Sequence, residues 1–397
     1  MPHQISVIGQ GYVGLPLALA ASEVGLAVIG IDNNSNKIQE LQSGKSGIED
    51  ISSSTVSKAL KSGRYQPTTN YEAVSKSSII LICVPTPLNY KNLPDLTAIE
   101  SAASSISKHL TKGSLVILES TVEPGTTKDF LVPILAKGSG LTTEDFYVAF
   151  SPERIDPLNK SWNIRNTPKI VAGLTEKSRN LAIEFYSKFI DTVIPVESLE
   201  VAETAKLLEN SFRLVNISFI NEVSIFCQKL GIDINDVIHA ASSKPYGFMP
   251  FYPSVGVGGH CIPIDPIYLA SKANQIGVET RFIDLAVQIN KEMPGYFVGR
   301  AEEKLGSLQG KKVLVVGVSY KSNVVDVRET PVEELIKGLA KRGAEVFWHD
   351  DLVKEWNGKK SVTLSNNFDL AILATPHDHI DLNKLGSVPI LDTRSSI

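Results

Sequence analysis

The feature that most limits what this chain can fold into is Gly9-Gln10-Gly11-Tyr12-Val13-Gly14, set directly between a β-branched run, Ile5 to Ile8, and a helix-compatible run, Leu15 to Val24. A second apolar run, Ala27 to Ile31, follows and ends on Asp32. Strand, glycine turn, helix and strand make one βαβ unit, and continuous β-branched strands belong to a parallel sheet buried on both faces. The first glycine permits the tight turn, the second lets backbone approach a pyrophosphate, and the third lets the helix pack close to the strand. The free N–H groups and positive dipole end of the helix then face the phosphates. Asp32 lies 23 positions after Gly9, where a carboxylate accepts from the adenine ribose hydroxyls and repels a 2′-phosphate, so the expected cofactor is NAD rather than NADP.

Further apolar runs at Ser78 to Val84, Leu115 to Glu119 and Tyr147 to Phe150 extend this unit into a doubly wound parallel sheet. From Val201 to Leu230 the periodicity is helical, with no glycine or proline until Gly231, which predicts one unusually long helix; a mostly helical stretch continues to about Arg300. Strand-like runs return at Val313 to Val316, Glu345 to Trp348, Leu370 to Leu373 and Ile390 to Leu391. The expected class is α/β, with two Rossmann-like doubly wound parallel-sheet domains joined by a long central helix. The boundaries are expected at 1–197, 198–300 and 301–397, three domains in 397 residues against a prior of about 150 per domain.

Composition narrows the partners. Hydrophobic residues at 43% and charged residues at 21% are ordinary globular usage, far from the signature of disorder. A net charge of −4 with no basic block argues against nucleic acid. The apolar runs fall well short of the ~20 residues of a membrane span, and no secretory pattern opens the chain, so a cytoplasmic protein with no membrane partner is expected. Three cysteines are too few for a disulfide framework, which fits a reducing compartment.

Each thiol is therefore read alone. Cys83 inside an apolar run and Cys227 on the long helix read as small buried hydrophobes. Cys261 sits in Gly256-Val257-Gly258-Gly259-His260-Cys261-Ile262-Pro263-Ile264-Asp265, where little bulk shields the sulfur; it is either a nucleophile or a structural thiol beside a glycine turn. Lys206 and Asn210, four apart on the long helix, either hold an oxyanion or form a solvated pair. His377 and His379 lack a third ligand nearby, so no metal is assigned. Gly317-Val318-Ser319-Tyr320-Lys321 occupies the strand-to-helix position of the second sheet without the full fingerprint; either it binds a second nucleotide, with Lys321 and Arg328 on its phosphates, or that domain is degenerate. The turns Val84-Pro85-Thr86-Pro87 and Glu119 to Thr126 either line a ligand crevice at the strand ends or simply terminate strands.

In chain order, the fingerprint, Ser120-Thr121-Val122, Ser151-Pro152-Glu153-Arg154, Ala202-Glu203-Thr204-Ala205-Lys206 with Asn210, Gly258-Gly259-His260-Cys261, Asp265, and Gly317 to Lys321 with Asp326 to Arg328 resemble the UDP-glucose/GDP-mannose dehydrogenase family along essentially the whole chain. The resemblance implies oxidation of the C6 hydroxyl of a nucleotide sugar to a carboxylate with two NAD. It implies that Cys261 is the nucleophile, with Lys206, Asn210 and Asp265 beside it and Thr121 and Glu153 acting on the reacting oxygen or its water. Gly9, Gly11, Tyr12, Val13, Gly14, Asp32, Lys37, Thr86, Thr121 and Arg328 match cofactor positions. Glu153, Arg154, Lys206, Asn210, Phe251, Tyr252, Gly256, Gly258 and Lys321 match positions for the UDP-sugar. Such chemistry explains a thiol: an aldehyde trapped as a thiohemiacetal becomes a thioester after the second hydride loss, and water releases the acid.

Within the family, Ser151 to Pro157, Pro250-Phe251-Tyr252-Pro253 and His260 to Pro266 look most like the branch that oxidises UDP-N-acetylglucosamine for polysaccharide biosynthesis. Two positions depart from that branch: Ser254-Val255-Gly256 stands where Gly-Pro-Gly is frequent, and Leu158 where glycine is. UDP-glucose and UDP-N-acetylmannosamine are the alternatives in the same class, and a non-catalytic nucleotide-sugar or NAD sensor is the alternative in another. A homodimer through the long helix is the expected assembly.

Overall fold

The β-branched runs become the middle of an eight-stranded sheet. In the computed structural model, which describes residues 4–48, 51–155, 159, 161–259 and 261–394, the chain divides into two compact units, 1–208 and 209–397. The motif residues Asp156, Pro157, Leu158 and His260 lie outside the described residues.

In the first unit, strands β1 (Gln4–Ile8), β2 (Ala27–Ile31), β3 (Tyr65–Thr68), β4 (Ser77–Ile82), β5 (Leu115–Leu118), β6 (Tyr147–Phe150), β7 (Lys169–Gly173) and β8 (Val193–Pro195) pair in the order β3-β2-β1-β4-β5-β6-β7-β8. The pairing is parallel except that β7 runs against β6. Helices α1 (Gly14–Glu23), α2 (Ser35–Gln42), α3 (Ser53–Lys61), α4 (Thr97–Ser107), α5 (Val132–Ser139) and α6 (Glu176–Tyr186) connect the strands. Leu15, Leu17, Val56 and Phe185 cover one face of the sheet, and Ile99, Ile106, Leu135 and Ala202 the other. With both faces covered, every side chain of Leu115–Leu118 is buried, which is why that strand is an unbroken apolar run. The order reverses between β1 and β4, and that reversal opens a crevice at their carboxyl ends. β4 and β5 stop earlier than the apolar runs suggest, so Cys83 and Glu119 are the first residues of the loops that follow.

The long helix α7 (Leu199–Leu230) is 32 residues, and the division between units falls within it. It stops at Gly231, whose φ of +72° is left-handed, with the Ile232 N–H turned back onto the Cys227 carbonyl at 3.1 Å. The second unit continues through α8 (Ile234–Ser242), α9 (Asp265–Gln275) and α10 (Arg281–Leu305). In chain order its strands are β9 (Lys312–Val316), β10 (Glu345–His349), β11 (Glu355–Trp356) and β12 (Lys359–Lys360), which form a separate small antiparallel hairpin, β13 (Leu370–Leu373) and β14 (Ile390–Asp392). The four main strands are parallel in the order β10-β9-β13-β14. Phe297 and Val298 of α10 and Leu335 and Leu339 of α11 (Val332–Lys341) bury one face. Leu364, Leu385 and Val388, from loops and one short 3-10 turn, bury the other. No helix among the described residues is long and apolar enough to cross a membrane.

Candidate active site

The first and third glycines of the first turn have a steric reason within the protein. Gly9 has φ +90°, and a Cβ there would sit 2.4 Å from the Cys83 carbonyl oxygen; one on Gly14 would sit 1.9 Å from the Gly9 oxygen. Nothing lies within 4 Å of the Cβ position of Gly11, so that glycine faces open space, as a residue beside an incoming pyrophosphate must. Asp32, 6% exposed, accepts the Gln10 N–H at 2.8 Å and the Asn34 N–H at 2.9 Å, and pairs with Lys37 at 2.9 Å. These residues fit NAD: a helix start with no side-chain cap, an open glycine and a fixed carboxylate. Tyr12 is exposed and Val13 half-buried. The Gln10 side chain, absent from the expected set, packs under Gly30 and accepts the Tyr65 hydroxyl at 2.7 Å, which fixes the turn from below.

The loops after β4 and β5 meet at this turn. Cys83 N–H bonds the Ile8 carbonyl at 2.8 Å, and the Ser120 hydroxyl bonds the Val84 carbonyl at 2.7 Å. Thr86 is buried and Thr121 half-buried in these loops, so the structure brings Gly9, Thr86 and Thr121 to one end of the sheet. Glu203 of α7 holds the far end of the second loop, accepting the Gly125 N–H at 2.6 Å, the Thr127 N–H at 2.9 Å and the Thr127 hydroxyl at 2.6 Å. Lys206, one turn further along, is half-buried. Glu153 follows β6, and the Arg154 guanidinium donates to the Pro168 carbonyl at 2.9 Å. Beneath Glu153 lies a cluster of Glu119, Lys169 and Tyr186 that the sequence did not suggest. Burial opposes the charge on Lys169, yet the carboxylates of Glu119 and Glu153 outweigh it and hold its ammonium above the usual range.

In the second unit, Cys261 is exposed while Cys83 and Cys227 are buried. The Cys261 carbonyl accepts the Ile264 N–H at 3.2 Å and the Asp265 N–H at 2.9 Å, a turn that leads directly into α9. Asp265, 3% exposed, accepts the Asn210 amide at 2.5 Å, so the structure brings these two site residues together. Gly256 has φ +133°; Cβ atoms on Gly258 and Gly259 would meet Tyr320 side-chain atoms at 2.9 Å and 2.8 Å. The thiol loop therefore lies directly on the loop after β9, and the Gly259 N–H bonds the Arg328 carbonyl at 3.1 Å. That lower loop carries Asn323 and Glu329 at positive φ, +65° and +49°. Arg328 is exposed with its guanidinium on Asp326, and Lys321 is half-buried. Phe251 packs edge-on to Phe212 with ring centroids 5.8 Å apart, whereas Tyr252 is 58% exposed.

The loop after β9 is organised as the first glycine turn is. Asp350 accepts the Val318 N–H at 2.9 Å, as Asp32 accepts that of Gln10, and also binds His377 Nε2 at 2.8 Å. Burial alone would raise its carboxyl, but donors from His377, Val353 and Val318 hold it down to about 2. His377 Nδ1 in turn accepts the Asn323 N–H at 2.8 Å, so this histidine is committed to bracing the loop.

Models of three consecutive domains match the chain: the NAD binding domain of the UDP-glucose/GDP-mannose dehydrogenase family over residues 3–190, its central domain over 200–292 and its UDP binding domain over 314–397. The chain belongs to the UDP-glucose/GDP-mannose dehydrogenase family. It is thus an NAD-dependent oxidoreductase acting on a nucleotide sugar. A UDP-N-acetyl-D-glucosamine 6-dehydrogenase of Salmonella typhi is 36% identical, covering 98% of this chain and 92% of that one. Among solved structures, a UDP-D-ManNAc dehydrogenase of Pyrococcus horikoshii superposes with TM-score 0.90 at 30% identity, covering 98% and 95% of the two chains. A UDP-glucose dehydrogenase of Pyrobaculum islandicum gives 0.91 at 28% identity, covering 99% and 94%.

Proposed function

We propose that this dehydrogenase oxidises the C6 hydroxyl of UDP-N-acetylglucosamine to the carboxylate, giving UDP-N-acetylglucosaminuronate for polysaccharide biosynthesis, through a thioester on Cys261. The observation that carries the thiol route is an exposed Cys261 in a turn that closes on Asp265, itself bound to Asn210. NAD, held by Gly9 to Gly14 and Asp32, supplies the hydride acceptor for both oxidations. The Cys261 sulfur adds to the C6 aldehyde, with Lys206 and Asn210 stabilising the oxyanion that forms. After the second oxidation water adds to the thioester carbon, the C–S bond breaks, and the Cys261 thiolate leaves. Glu153 or Asp265 takes the proton from that water, and Thr121 orients the reacting oxygen. Arg154, Phe251, Tyr252, Gly256, Gly258 and Lys321 serve the UDP-sugar in this reading.

The choice of sugar is supported by the motifs after β6 and around Cys261 and by the Salmonella relative. UDP-glucose and UDP-N-acetylmannosamine are the competing substrates. A sensor that merely binds has no use for Cys261, Lys206 and Asp265 together. The deciding experiment offers each purified UDP-sugar and counts NADH formed per sugar consumed. Two NADH, fastest with UDP-N-acetylglucosamine, is the expected result. One NADH overturns the thioester route, preference for another sugar overturns the substrate, and binding without NADH favours the sensor.

A further inference from the structure

Glu153 is one of the two groups that the proposed function offers for the attacking water, and its carboxylate is anchored on two sides. Oε1 accepts the N–H groups of Arg154 at 2.6 Å and Ile155 at 2.7 Å, while Oε2 faces Lys169 Nζ at 3.6 Å. Lys169, with 6% of its side chain exposed, donates to Glu119 Oε2 at 2.7 Å and to the Pro152 carbonyl at 3.4 Å. Glu119, wholly buried on its side chain, also accepts the Tyr186 hydroxyl, and the ammonium lies 5.1 Å from the Tyr186 ring centroid. The Cys83 thiol lies within electrostatic reach of the same charges. Two carboxylates thus share one buried ammonium.

Stability is a weak reason for such a cluster. A buried ion pair forfeits so much hydration that apolar residues of similar volume commonly serve the fold as well. A second carboxylate facing the same ammonium adds repulsion that a purely structural pair has no reason to keep.

We propose that Lys169 is a positioning residue for the hydrolytic step: gripped by Glu119 and Tyr186, its ammonium orients the Glu153 carboxylate that receives the proton of the attacking water. This rests on the proposed role of Glu153. Water oxygen bonds to the thioester carbon, one water proton passes to Glu153 and then to solvent, and the C–S bond breaks with its electron pair on the Cys261 sulfur. Glu119 is the anchor that keeps the ammonium beneath Glu153, and Tyr186 holds Glu119 in turn.

The test is the split between kcat and KM in Glu119→Gln/Lys169→Met, a double variant that removes both buried charges together and so avoids stranding either, with Lys169→Arg as the charge-conserving rescue. Thioester hydrolysis, followed in a single turnover, slows at least about tenfold in the double variant, while KM for the UDP-sugar and the NADH formed in the two oxidations stay as in wild type. Lys169→Arg brings the hydrolysis rate back toward wild type. A folded double variant that hydrolyses the thioester at the wild-type rate overturns the proposal. Glu153→Gln separates the two ways of failing. If it keeps the wild-type rate, the role of Glu153 falls and the proposal with it; if it loses the rate while the double variant keeps it, only the role of Lys169 falls.

Discussion

Glu203 on α7 accepts both the backbone N–H and the hydroxyl of Thr127, at 2.9 and 2.6 Å. Its other oxygen takes the Gly125 N–H, so one buried carboxylate ties the loop that carries Thr121 to the helix that carries Lys206. Burial pushes the Glu203 carboxyl up to about 7, against the donors from Thr127 and Gly125 that favour its charged form.

That value makes stability depend on pH in a definite direction. Because it lies above the usual 4.5, the folded chain holds this proton more tightly than the unfolded one. The contribution is full below about pH 4.5 and is lost as pH rises through about 7, up to roughly 3 kcal/mol at 1.36 kcal/mol per unit. Thermal midpoints of the wild type and Glu203→Gln, measured from about pH 5 to 8, should show the wild type losing ground to the variant. A constant difference across that range would show that Glu203 does not titrate there.

The first and third glycines of the turn answer to the fold, the second to the ligand. Gly14→Ala forces a Cβ into the Gly9 carbonyl and should cost about 1–3 kcal/mol in denaturant unfolding. Gly11→Ala, facing open space, should change stability by less than about 0.5 kcal/mol while weakening NAD roughly tenfold, read by calorimetry. Equal NAD affinity in Gly11→Ala and wild type would move the pyrophosphate elsewhere.

Cys261→Ser removes the sulfur without opening a cavity, because the side chain is exposed. The thermal midpoint should be unchanged and uronate production should fall by at least about a thousandfold, since a serine ester does not turn over as the thioester does. Uronate formed at the wild-type rate by this variant, measured by mass spectrometry, refutes the covalent route.

Asn210→Ala takes a donor from a buried carboxylate. The loss at Asp265 should be about 1–3 kcal/mol together with a fall in kcat, and Asn210→Asp, which sets a second carboxylate against it, should be worse on both counts. An Asn210→Asp protein as stable and as active as wild type shows that the Asn210–Asp265 contact serves neither the fold nor the reaction.

Phe212, Phe219, Phe226 and Leu230 of α7 are all exposed, at spacings of seven, seven and four residues that line one side of a helix. A homodimer through this stripe predicts that Phe219→Glu lowers the mass measured by light scattering to that of a single chain. An unchanged mass places any assembly on another surface.

The sequence carries the local geometry of part of the candidate site. Gly9, Gly14 and Asp32 could be read because a βαβ turn imposes local rules on backbone angle and side-chain size, and Cys261 stood out because glycines surround it. The long helix ended where Gly231 said it must. Lys169, Tyr186, Gln10 and Asp350 gave no such signal: each acts through a partner tens of residues away, such as Lys169 with Glu119 or Asp350 with His377. Glu203 stood inside a quoted motif, but only the buried end of α7 shows what its carboxylate receives.

Sequence alone determined the alternation of strands and helices, the dinucleotide turn and the membership of the thiol in a glycine loop, because these follow from short-range periodicity and sterics. Tertiary structure alone decided which charges are buried together and which loops they brace. A lysine or glutamate reads the same in a sequence whether solvated or enclosed, and only the packing of distant elements removes its water and obliges it to find a partner.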